Sequence, residues 1–72
     1  MKNPRMFTFL RRSAEADKEK ALMSLELLSE HPAGIGDHST EDFYKNAEEA
    51  LSMLADAEDR LEMLDKHFPD QK

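Results

Sequence analysis

Phe43, Ala47, Ala50, Leu54, Ala57, Leu61, Leu64 and Phe68 recur at alternating steps of four and three residues. That rhythm lays one apolar seam along a helix for more than three heptads, a spacing that a strand, with its period of two, cannot use. The constraint is therefore a long amphipathic helix, about residues 40–67. Its start carries "STED", with Ser39 as a capping residue and Asp42 three positions on, a capping-box-like pattern. Lys66 and His67 suit the negative C-terminal end, and Pro69 closes the helix. Off the seam, Glu41 and Lys45, Asp56 and Arg60, and Glu62 and Lys66 stand four apart with the acid first, the better orientation for a helical ion pair. Residues 70–72 are expected to fray.

The remainder of the chain reads as a second helix, about residues 4–30. Few residues are β-branched, and Ala, Leu, Met, Glu and Lys dominate, so summed helix propensity is high. Two starts compete. Asn3 before Pro4 resembles a cap with proline at the first helical position, whereas Ser13 before Glu15 and Asp17 resembles a later one. The arginines near the N-terminus oppose the macrodipole and favour the later start. Phe7, Leu10, Ala14, Ala21, Leu25 and Leu28 share one face only if the helix is continuous, and this favours the earlier one. Arg11 and Lys18 interrupt that face as charges. His31 precedes Pro32 and is driven out of helical geometry, so the helix stops near Glu30. A connection over 31–38 follows, where Gly34 and Gly36 permit the bend and Ile35 turns inward to cover the hairpin end.

The fold class expected is all-α: an antiparallel two-helix hairpin, a single domain spanning residues 1–72, dimerising into a four-helix bundle. Alanines in the middle of the seam let the first helix approach the second closely. A helix of roughly 27 residues is about 40 Å long, so the unit is a rod. A hairpin covers one stripe per helix, yet the first helix has a second stripe, Phe9, Ala16, Met23 and Leu27, opposite the first. The second helix adds Tyr44, Leu51 and Ala55 on one flank of its seam and Met53 on the other, with Met63 further round. Leaving a large apolar side chain wet forgoes about 1.5–3 kcal/mol, so four or five of them rival the stability of a small domain. A homodimer is expected, with Phe9, Met23, Leu27, Leu51 and Met53 as the candidate self-association residues.

Charge divides the chain unevenly. Residues 1–12 hold Lys2, Arg5, Arg11 and Arg12 and no acid, for +4; residues 13–72 hold 16 acids against 6 basic side chains, for −10. Arg5, Phe7, Arg11 and Arg12 in the basic, aromatic head are the candidate partner-binding residues, for a host or phage protein or for nucleic acid. No nucleic-acid motif accompanies them. The chain has no cysteine, which removes disulfides and thiolate metal sites and points to a reducing compartment, the cytoplasm. No apolar run is long enough for a membrane span or the core of a signal peptide, and no membrane association is expected.

Chemistry is sparse. His31, Asp37, His38, Glu41 and Asp42 cluster in sequence, but they lack the His pair of a zinc helix, the Glu-x-x-His of di-iron bundles and the acid order of a calcium loop. Turn and cap roles account for them. Gly34-Ile35-Gly36 has no preceding strand and no Lys-Ser/Thr pair, so it is no phosphate loop. No nucleophile, base and orienting group stand together. Neither catalytic, cofactor-binding nor metal residues are assigned, and an enzyme is not expected.

The segments "MFTFLRRSAEADKEKALMSLELL", "HPAGIGDHSTEDFYKNAEEAL" and "MLADAEDRLEML" resemble short uncharacterised proteins of tailed myophages that infect marine cyanobacteria. The likeness covers nearly the whole chain, and "HPAGIGDHST" is its most specific part. It implies a phage-encoded protein acting in the host cytoplasm and carries no residue roles with it. The function expected is a small protein-protein interaction module. The alternatives are a nucleic-acid-related protein, through the basic head or an acidic body mimicking DNA, and a minor virion or assembly component.

Overall fold

The computed structural model describes residues 4–30 and 40–69. They form two helices, α1 (Pro4–Glu30) and α2 (Thr40–His67), packed together in a rod with extents of 54 × 16 × 14 Å. No strand occurs among the described residues. The Asn3 cap, the connection at 31–38 with Gly34, Ile35, Gly36 and the His31, Asp37, His38 group, the Ser39 cap and residues 70–72 lie outside them.

Helix α1 begins at Pro4 and passes through Ser13 without a break, although its first turn holds no acid and its last turn no base. What outweighs these unfavourable ends is packing. The Phe7 ring sits 4.7 Å from that of Phe68, tilted by 39°. An aromatic pair adds about 0.5–1.5 kcal/mol on top of its buried area, against the roughly 0.3–1 kcal/mol that a charge at an exposed helix end costs. Helix α2 has favourable ends of its own, with Glu41 and Asp42 in the first turn and Lys66 and His67 in the last. The Phe68 N–H still donates to the Leu64 carbonyl at 2.9 Å, and Pro69, lacking an amide hydrogen, stops the ladder there.

Cross-helix ion pairs define the direction and the register. Arg11 meets Asp65 at 2.8 Å and Lys18 meets Glu58 at 3.8 Å. One heptad forward on α1 corresponds to one heptad backward on α2, so the helices run antiparallel with their heptads in step. The two charges that interrupt the α1 face are thus flanking residues, each provided with a counter-charge on α2.

Between the helices the core is thin. Among the described residues, Ala14 and Ala21 from α1 and Ala50, Ala57 and Leu64 from α2 are the buried apolar residues, and no large side chain is fully buried. Each set is spaced by sevens. Alanine at these positions places no long side chain between the axes, which allows close approach but buries little area per residue. Phe7, Leu25, Leu28, Phe43, Leu54 and Leu61 sit at the edges of the seam, half-buried. Leu10 and Phe68 lie on the seam rhythm yet are exposed. They occupy the end of a two-helix unit, where a side chain has neighbours on one side only.

Candidate interaction surface

The helical period of about 100° per residue sorts the surface into two flanks and two backs. On one flank, Leu10 and Ser13 of α1, Met63 and Leu64 of α2 and Phe68 just beyond it enclose an apolar groove of about 270 Å³ near the termini. Further along the same flank, Ser24, Leu27 and Leu28 face Ala50 and Met53 across a second groove of about 380 Å³. A polar bridge separates the two. The Arg60 guanidinium donates to Asp17 across the helices at 2.7 Å and to Asp56, one turn back on α2, at 3.0 Å.

Hydrogen bonding to Asp17, reinforced by the charges of Asp56 and Asp17, outweighs desolvation and holds Arg60 above its ordinary pKa. An upward shift means that folding favours the charged guanidinium, so this contribution is present at neutral pH and fades as pH rises into strong alkali. Among the three four-residue pairs expected on α2, Asp56 and Arg60 is the one that closes among the described residues. The others leave long side chains in water, where an ion pair gains little over solvation.

The opposite flank reverses the order. Its terminal half is charged, carrying the Arg11–Asp65 and Lys18–Glu58 pairs; towards the connection it presents Leu51 and Tyr44, both exposed. On the back of α1, away from α2, stand Phe9 and Met23, exposed by 67% and 59%. A shallow groove of about 580 Å³ runs there, bordered by Ala16, Glu19, Lys20, Met23 and Glu26.

No protein-family model, curated protein or solved structure matches the chain. The surface itself is therefore the source of any functional reading.

Of the candidate self-association residues, Leu27 and Met53 line one groove, Phe9 and Met23 share the back of α1, and Leu51 stands on the far flank of α2. They do not form one contiguous patch. Of the candidate partner-binding residues, Arg5 and Arg12 are exposed, whereas Phe7 packs on Phe68 and Arg11 is bound to Asp65. Spacing along the sequence does not mark Asp17 and Arg60 as a pair. A signal existed: Asp17 stands three residues after Ala14 and four before Ala21, beside the seam and within reach of the facing helix. No group of three metal-ligating side chains gathers among the described residues, and no described helix is long and apolar enough to cross a membrane.

Proposed function

We propose that this chain is a protein-protein interaction module that works as a homodimer of hairpins, four helices in all. One observation carries the reading. The interface between α1 and α2 buries alanines and a single leucine, while Phe9, Met23, Leu27, Tyr44 and Leu51 remain more than half exposed. A small scaffold without disulfides has few other sources of stability, and each such side chain gains about 1.5–3 kcal/mol on full burial. A second hairpin supplies the missing surface at no cost in new sequence, and closed two-fold pairing limits the assembly to two copies. The resemblance to cyanobacterial myophage proteins supports a reading in which the dimer engages a phage or host protein inside an infected bacterium.

Sedimentation at micromolar concentration tests the dimer. The expected mass is roughly twice the 8.3 kDa of one chain; a single 8.3 kDa species removes the reading. A nucleic-acid role would have to rest on Arg5, Arg12 and Phe9, because Phe7 and Arg11 are engaged within the hairpin. It predicts a mobility shift with nucleic acid at low salt that disappears as salt is raised, which the interaction module does not.

A further inference from the structure

We infer that the two copies pair through the backs of their α1 helices, antiparallel, about a two-fold axis at Ala16. The inference deepens the dimer reading and rests on it. Phe9, Ala16 and Met23 follow one another at heptad spacing on the side of α1 turned away from Ala14 and Ala21, and all three are exposed. One turn before each of them stands a charge: Arg5 before Phe9 is continued at sevens by Arg12, Glu19 and Glu26. These four are exposed, and none has an ion-pair partner among the described residues.

The order along the helix is positive, positive, negative, negative. Laid against itself in parallel about a two-fold axis, that row meets the opposite flank of the stripe, Ser13, Lys20 and Leu27, where Lys20 is the one charge. Laid antiparallel, it sets Arg12 against Glu19 and Arg5 against Glu26, each pair occurring twice. In paired helices such flanking charges select orientation and partner. The centre of the charge row falls between residues 12 and 19, next to Ala16; the centre of the apolar row, with Phe9 over Met23 of the second copy, falls on Ala16 itself. Charge and apolar contacts thus specify one register. Alanine at the axis lets the two helices approach closely, as Ala14, Ala21, Ala50 and Ala57 do within the hairpin.

The hairpin fold adds a second argument. Residues 22–54, the half next to the connection, carry seven acids and one base, a net charge of −6, and the half next to the termini is neutral. Parallel pairing superimposes the two −6 halves, whereas antiparallel pairing places each over the neutral half that bears Arg5 and Arg12.

Disulfide mapping on this cysteine-free chain tests the orientation. Under mild oxidation, Ala16→Cys should link to itself, and Phe9→Cys mixed with Met23→Cys should give the mixed dimer. Met23→Cys alone should stay unlinked, because in the antiparallel register the two copies of residue 23 are about 20 Å apart, well beyond disulfide reach. Self-linking of Met23→Cys as readily as the mixture overturns the inference.

Charge reversal tests it without touching the stripe. Arg12→Glu should weaken association on the order of tenfold at low salt, and adding Glu19→Arg to the same chain should restore it. Helicity by circular dichroism shows that each variant is folded. A native dimer whose affinity ignores the first change, or is not recovered by the second, overturns the register and leaves the dimer standing. A native chain that sediments as one copy overturns both.

Discussion

The half of the hairpin near the termini and the half near the connection are built from the same two helices but held by different means. In the terminal half, Phe7 stacks on Phe68, Arg11 meets Asp65, Lys18 meets Glu58, and Arg60 bridges Asp17 and Asp56. Its charges balance, and most of its specific contacts point inward. The connection half shares the buried alanine seam but turns Met23, Leu27, Tyr44 and Leu51 outward and carries all of the net charge. Both halves expose large apolar side chains, Phe9 most of all, but among the described residues the cross-helix ion pairs that set the register lie in the terminal half. The lesson concerns alanine: a seam of small residues brings two helices together closely, yet it buries so little area that large apolar residues are left for the outside.

The comparison breaks most readily at Met23. Met23→Asp should leave the hairpin helical and dissociate the dimer, with an association loss of about 2–4 kcal/mol summed over both copies, read as a shift from two chains to one in sedimentation. Retained dimer would move the interface away from the back of α1. Within the hairpin, Ala57→Leu forces a long side chain between the axes where Ala57 is fully buried, and thermal unfolding should show a loss of about 1–3 kcal/mol. An unchanged melt would mean that the helices are not closely apposed at that point.

Phe68→Ala sharpens the contrast between the ends. Phe68 is 46% exposed, so the loss should be about 1–2 kcal/mol, less than for a fully buried ring. Tyr44→Ala, at the other end, should leave the monomeric hairpin's melt nearly unaltered. Equal effects at the two positions would erase the distinction between a clasped end and an open one. Arg60→Met should destabilise only slightly, since the bridge lies in reach of water. Its effect should be smaller than that of Phe68→Ala and should vanish at ~0.5 M salt, as measured by melting at two ionic strengths.

Much of the hairpin is legible before any coordinates are seen. The eight seam residues from Phe43 to Phe68 announce α2, because a regular four-three rhythm has one geometric meaning. The choice between two starts of α1 is less legible. Local cap and dipole rules favour Ser13, and the decision for Pro4 depends on Phe7 finding Phe68, sixty-one positions away in the chain. The surface residues show the same divide. Phe9, Met23 and Leu27 can be read as a second stripe from spacing alone, whereas Arg11 and Phe7, which look like part of a basic, aromatic head, turn out to be fastened within the hairpin.

By itself the sequence determined two amphipathic helices, their seams and an apolar surplus, since these follow from periodicity along one chain segment. Tertiary structure decided which charges are used up internally. Arg11, Lys18 and Arg60 find partners on the opposite helix, 40 to 54 positions distant. Spacing within a helix reveals neighbours three and four residues apart, and only the antiparallel register brings the rest within the few ångströms over which a charge selects its partner.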